Sequence, residues 1–178
     1  MHPTTSLATE RLLLQPATLA DADIIWPHVS NPEISRHMSW EPHVDMAQTR
    51  AFLVSIEEAA AAGRSHTWTI RDRSTKEFYG IFSLIAVLRT HRSLSYHRAE
   101  LAYWCVPSWQ GKGIMTEAGN AVIDHAFSQL GLNRLVVAHH LANPASQRLI
   151  HRLGFSQIGV EHQAFQKNGQ WIDTIIYE

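Results

Sequence analysis

Apolar and polar positions recur along this chain in two periods, one close to 3.6 residues and one close to 2. Leu12 to Leu14 form a short apolar run that predicts a strand. "TLADADIIWPHV" follows with acidic residues in its first turn and apolar Leu19, Ile24 and Ile25, the pattern of a short helix that Pro27 ends or bends. Turn formers crowd "NPEISRHMSWEPHV", after which Asp45 caps a second helix that runs through Ala62 and stops at Gly63. "HTWTIRD" and "FYGIFSLIAVL" carry the alternating or continuous apolar residues of strands and predict an antiparallel hairpin across the polar turn "RSTKE". "AELAYWCV" is a further strand, ended by Pro107, and a helix from Thr116 to Leu130 repeats Ala118, Val122, Ile123, Ala126 and Phe127 along one face. "RLVVAHHL" predicts a buried strand. "NPASQRLIHRLG" is a short helix with an Asn cap, a first-turn Pro and a terminal Gly, and "FSQIGV" and "WIDTIIY" are strands joined by Asn-Gly. This order predicts the α/β class, a mixed α+β sheet of about seven strands with about four helices.

Composition narrows the classes of function. The 178 residues fit one domain, 1–178, with 45% hydrophobic and 17% charged residues typical of a globular chain. Fifteen Lys and Arg balance 16 Asp and Glu for a net charge of −1, so no global field gathers a polyanion. No direct nucleic-acid binding is expected. No segment approaches membrane-spanning length, the start lacks a basic leader, and the single Cys105 excludes an internal disulfide, so a cytoplasmic protein is expected. Twelve histidines raise the question of a metal, but no His/Cys ligand spacing appears, and adjacent His139 and His140 in a strand face opposite sides. No metal is expected.

The chemistry concentrates in "VPSWQGKGIMTEAG". Residues 110 to 115 form a turn whose backbone N–H groups lead into a helix N-terminus, where unpaired amides and the helix dipole bind anions and glycines let the backbone approach the oxygens. The spelling fits neither a P-loop nor a dinucleotide fingerprint, since the intervening residues and the third glycine are missing. From the glycines alone, a plain strand-to-helix connection explains the segment equally well.

The surrounding stretches carry more. Gln110-Gly111-Lys112-Gly113-Ile114-Met115 resembles the acetyl-CoA motif Gln/Arg-x-x-Gly-x-Gly/Ala of the GCN5-related N-acetyltransferase (GNAT) superfamily. "TERLLLQP", "AELAYWCVPSWQGKGIMTEA", "NPASQRLIHRLGF" and "NGQWIDTIIYE" extend the resemblance nearly end to end to its RimJ/RimL branch, the ribosomal-protein N-terminal acetyltransferases. The resemblance implies a GNAT fold of mostly antiparallel strands with a splayed central parallel pair. It also implies acetyl-CoA as cosubstrate, with its diphosphate on the amides around Gln110, Gly111, Lys112, Gly113, Ile114 and Met115. Its pantetheine arm would pair with the backbone of Trp104, Cys105 and Val106, and Asn143 would contact that arm or orient its loop. The Asn-x-x-Ser pattern of the family maps onto Asn143 and Ser146 and makes Ser146 the candidate general acid. Glu100, before "LAYW", matches an acidic position that relays the amine proton through water. His37, Met38 and Trp40 fall where relatives form a wall of the acceptor site.

Direct acetyl transfer to an amine needs a neutral amine, a polarised carbonyl, a proton route and a donor to the departing sulfur, with no covalent nucleophile. Cys105 is accordingly expected to be a buried, inert thiol. At pH 7 roughly a tenth of an α-amine is neutral, against less than about a thousandth of a lysine amine, so an N-terminal acceptor needs only a weak base. The leading expectation is therefore an acetyl-CoA-dependent N-acetyltransferase acting on a protein or peptide α-amine. Acetylation of a small amine (an amino acid, polyamine or drug) and CoA sensing without turnover are the alternatives. A homodimer is compatible with the sequence.

Overall fold

The computed structural model describes residues 4–178. One eight-stranded sheet runs in the order β1-β2-β3-β4-β5-β6-β8-β7, every neighbouring pair antiparallel except β5 and β6. β1 is Leu7–Ala8 and β2 Leu12–Pro16, whose Leu12 and Leu14 are buried. α1 (Ala22–Val29), α2 (Pro32–Ser35) and α3 (Met46–Ala61) precede β3 (His66–Asp72), β4 (Phe78–His91) and β5 (Leu94–Cys105). α4 (Ile114–Ser128), β6 (Arg134–His140), α5 (Pro144–Arg152), β7 (Gln157–Lys167) and β8 (Gln170–Tyr177) complete the chain.

Several elements follow their local chemistry closely. The Asp45 side chain accepts from Gln48 N–H and starts α3; Asn143 Oδ1 accepts from Ser146 N–H and starts α5. Asn168 and Gly169 both adopt positive φ in the two-residue turn joining β7 to β8, as a right-twisted hairpin requires.

Among the described residues there is one strand and one α-helix more than the pattern predicts. The two-residue β1 is too short to register as a period, and α2 is a single turn inside the "NPEIS" stretch read as turns. Pro27 lies inside α1, which continues to Val29; the carbonyl that its missing N–H leaves without a helical donor belongs to Asp23, an exposed residue, where such a loss costs least. β4 and β5 extend well beyond their apolar segments into a hairpin around Arg92 and Ser93. Its outer residues are largely exposed, so no apolar alternation marks them as strand.

Two layers of core sandwich the sheet. On one face α4 and α5 bury Ala118, Val122, Ala126 and Ile150 against Leu12, Leu14, Trp68, Phe82, Leu84, Leu101 and Tyr177. On the other, α1 to α3 bury Ile25, Val29, Ile34 and Leu53 against Ile81, Trp104 and Val106. Along β5, Ala99, Leu101 and Tyr103 therefore face α4 and α5, while Glu100, Ala102 and Trp104 face the other layer.

Candidate active site

The parallel pair holds together over only four residues a side, Arg98–Leu101 against Arg134–Val137. Beyond that point β5 stays with β4 as far as Cys105, and β6 follows β8. The two strands diverge, and a cleft of about 730 Å³ opens between them. Val106 N–H donates to Tyr79 O at 2.9 Å, and antiparallel alternation then directs the Trp104 groups toward β4 as well. The N–H and C=O groups of Tyr103 and Cys105 consequently point into the cleft. Both main-chain groups of Val106 are spent, its carbonyl accepting from Trp109 N–H at 2.9 Å. Of the three expected pairing residues, only Cys105 turns its main chain to the open edge, its N–H without an acceptor among the described residues and its carbonyl accepting from Gln110 Nε2, and Tyr103 joins it.

The glycine loop closes one end of this cleft. After the turn Pro107–Trp109, Gln110 Nε2 donates to Cys105 O at 3.3 Å, fastening the loop to the strand. Gly111 and Gly113 have φ of 76° and 78°, a left-handed backbone that turns the chain into α4 without a side-chain cap. The first intrahelical donor is Glu117 N–H, bonded to Gly113 O, so the amides of Ile114, Met115 and Thr116 have no helical acceptor. Lys112 does not line the cleft; its Nζ lies 4.0 Å from the Trp109 ring centroid, and Trp109 packs 4.4 Å from Tyr79.

A brace supports the loop from behind. Glu117 accepts from Thr9 Oγ1 at 2.5 Å, from Arg11 N–H at 3.0 Å and from Arg11 Nε at 2.6 Å, and Arg11 Nη1 donates to Lys112 O at 3.3 Å. Partial burial pushes the Glu117 carboxyl up, but the bonds from Thr9 and Arg11 outweigh it and its pKa lies below the ordinary value.

The candidate reacting groups flank β5. Tyr103 Oη lies 2.7 Å from Ser146 Oγ on the first turn of α5, and Asn143 both caps that turn and lines the cleft. Burial raises the Tyr103 hydroxyl to about 12, although Ser146 pulls it back. On the opposite face of the strand Glu100 lines the cleft, its carboxyl pushed up by burial, drawn back by Arg98 and raised again by Glu161. Burial also lifts the Cys105 thiol to about 11, so it stays protonated near neutrality.

His37 and Met38 line the cleft, as do Glu161, Phe165 and Thr174. Trp40 lies outside the lining, packed near His43 at 5.9 Å and against the α1–α3 core. His140 packs against His37 and Phe165, with ring centroids at 5.9 and 4.9 Å, while His139 stacks on Tyr177 at the other face. Burial lowers the pKa of both His37 and His140, with positive neighbours including Lys167 adding to it. Among the described residues no group of three or more His, Cys, Asp or Glu is placed to hold a metal ion, and no helix is long and apolar enough to cross a membrane.

Sequence reasoning missed Tyr103, Glu161, Phe165 and the α5 arginines Arg148 and Arg152 that also line the cleft. Alternation from Leu101 could have placed Tyr103. Nothing local marks Glu161 or Phe165, whose positions depend on the β7–β8 hairpin pairing beside β6 at the edge of the sheet.

Residues 11–156 match the acetyltransferase (GNAT) domain family. The chain is 32% identical over 171 residues to the uncharacterized N-acetyltransferase YoaA of Bacillus subtilis (strain 168), covering 96% of this chain and 94% of that one. It is 29% identical over 181 residues to the ribosomal protein uS5-alanine N-acetyltransferase of Escherichia coli (strain K12), covering 98% and 90%. In fold it is similar to RimL, the ribosomal L7/L12 alpha-N-protein acetyltransferase solved with coenzyme A, with a TM-score of 0.87, 23% identity and coverage of 96% and 94%.

Proposed function

This chain belongs to the acetyltransferase (GNAT) domain family and is an acyltransferase, and from that premise we propose that it acetylates the α-amine of a protein or peptide N-terminus, with acetyl-CoA as donor. The observation that carries this reading is the two-faced strand β5, which presents hydroxyl donors on one side of an open cleft and a carboxylate on the other.

The residues present fit acetyl-CoA. The main-chain groups of Tyr103 and the N–H of Cys105 along the open edge suit an extended arm with amides, the Cys105 carbonyl being shared with Gln110 Nε2, and the free amides of Ile114 to Thr116 suit a diphosphate. Arg148 and Arg152 add positive charge to the same cleft. When bound, acetyl-CoA supplies an acetyl group activated as a thioester.

The protein's own groups then divide the proton work. Tyr103 Oη and Ser146 Oγ hold a proton in a shared bond and present it on the α5 side of the splay, where a donor to sulfur is needed. Asn143 fixes Ser146 by capping its turn. Glu100, across the strand, accepts the amine proton. An α-amine, roughly a tenth neutral at pH 7, asks little of this carboxylate.

A small polyamine is the second reading, favoured by Glu33, Glu100 and Glu161 lining one cleft. Thiol release from acetyl-CoA with alanine- and serine-initiated peptides, compared with spermidine, separates the two. Saturable CoA binding with no turnover on any amine overturns both in favour of a sensor.

A further inference from the structure

We propose that Lys167, the last residue of β7, is the positioning residue for the acceptor wall of the cleft. Its side chain is only 8% exposed, and its Nζ donates to the carbonyls of Ser35 at 2.7 Å, Met38 at 2.8 Å and Trp40 at 2.8 Å. An ammonium carries three N–H donors and no acceptor, so three carbonyls satisfy it completely. A lysine buried without such partners would lose its charge or destabilise the fold, which is why buried lysines are rare.

The carbonyls have the complementary need. Ser35 ends α2, and residues 36–41 form neither helix nor strand, so their carbonyls lack a regular ladder of donors. Lys167 gathers two of them, Met38 and Trp40, together with the carbonyl of Ser35, which also accepts from Met38 N–H at 2.9 Å, from a segment more than a hundred residues away in the chain. Charge-assisted bonds of this kind are the strong class, and here one side chain sets the path of the whole turn. Glu41, 3.9 Å from Nζ and largely exposed, adds a weaker ion pair at the outer side.

The turn held this way carries His37 and Met38 into the cleft, whereas Lys167 itself does not line it. Lys167 therefore acts through the wall rather than on the acceptor. His140 braces the same wall from β6 through its ring contact with His37. The β7–β8 hairpin and the α2–α3 connection, distant in sequence, thus meet to form one side of the acceptor end. The link to acceptor binding rests on the acetyltransferase reading above; the link to the wall's geometry does not.

Two variants test it, Lys167→Met, which keeps the stem and removes all three donors, and Lys167→Arg, which keeps the charge but replaces three tetrahedral donors by a planar fork. Amide hydrogen exchange over residues 36–41 and steady-state kinetics are read on the full chain, with an alanine-initiated peptide or spermidine as acceptor, whichever the native protein acetylates. Exchange over 36–41 is expected to accelerate in both variants, most in Lys167→Met. The acceptor KM should rise about tenfold or more, and the acetyl-CoA KM should stay at its native value. Lys167→Arg, which retains a buried cation with partial bonding, should fall between native and Met. Native exchange and native acceptor KM in a folded Lys167→Arg, or both KM values rising together, overturn the proposal. Absence of turnover by the native protein counts against the proposed reaction, and exchange over 36–41 still decides whether Lys167 holds the wall.

Discussion

The Tyr103 hydroxyl on β5 and the Ser146 hydroxyl on α5 share a hydrogen bond of 2.7 Å across the mouth of the splayed strands. Neither residue alone explains the arrangement. Asn143 fixes Ser146 by capping the helix, alternation along β5 turns Tyr103 toward it, and burial keeps the phenol protonated, with its pKa at about 12. In the proposed reaction the pair would serve as a shared proton donor to the departing sulfur.

Ser146→Ala and Tyr103→Phe are each expected to lower kcat by about 10²-fold, the lower end of the range for loss of a general acid. Binding of bare CoA should change little. The double variant should fall well short of the product of the single losses, because the two hydroxyls serve one proton path. Rapid single-turnover measurement of thiol release checks this; a native rate in Ser146→Ala removes it from the mechanism.

As the proposed base, Glu100 should set the acid limb of the rate profile. Burial raises its carboxyl above the ordinary value, so kcat/KM should rise with pH through that elevated value as the carboxylate forms. In Glu100→Gln this limb should disappear and kcat should fall about 10²-fold. A profile of unchanged shape in that variant assigns the base elsewhere.

The diphosphate loop depends on left-handed backbone at Gly113. A Cβ there would sit 3.4 Å from Arg11 Nη2, an ordinary contact, so Gly113→Ala is strained by its φ of 78° rather than by a clash. It should cost about 1–2 kcal/mol of stability while allowing folding. CoA affinity, measured by calorimetry, should weaken in Gly113→Ala and more in Gly113→Val. Retained affinity in folded protein refutes the amide cradle.

Stability should fall on mild acidification. Burial lowers His28, His37, His43 and His140 below the value of 6.5 that the unfolded chain shows. Below about pH 6.5 the unfolded chain therefore binds protons that the folded chain refuses, and stability present above that pH is lost as pH falls toward the lowered values. Glu100 works the other way, its raised carboxyl favouring the folded state as pH drops through its folded pKa. With four histidines against one carboxyl, the thermal midpoint should decline from pH 7 to pH 5, and His140→Gln should flatten the decline.

Much of the molecule is legible in one dimension. The apolar alternation of "HTWTIRD", the Asn cap and Pro of "NPASQ", and the paired glycines after "AYWCV" are local signals, because a strand's faces, a helix's first turn and a left-handed loop are all decided within a few residues. They mark the sheet, the amide-rich helix start and the Asn-capped turn that carries Ser146. The β4–β5 extension escaped because a strand exposed on both faces has no apolar period to read.

What the sequence by itself determined is a mixed sheet with an amide-rich loop at the head of a helix, since propensity, capping and glycine φ act locally. Tertiary structure alone decided how far β5 and β6 stay paired, which of Tyr103, Trp104, Cys105 and Val106 turns its main chain to the cleft, and that Tyr103 meets Ser146. It also decided that Lys167 reaches three carbonyls some 130 residues away. Strand register and burial of a charge depend on the partner surface, and no window of sequence contains that surface.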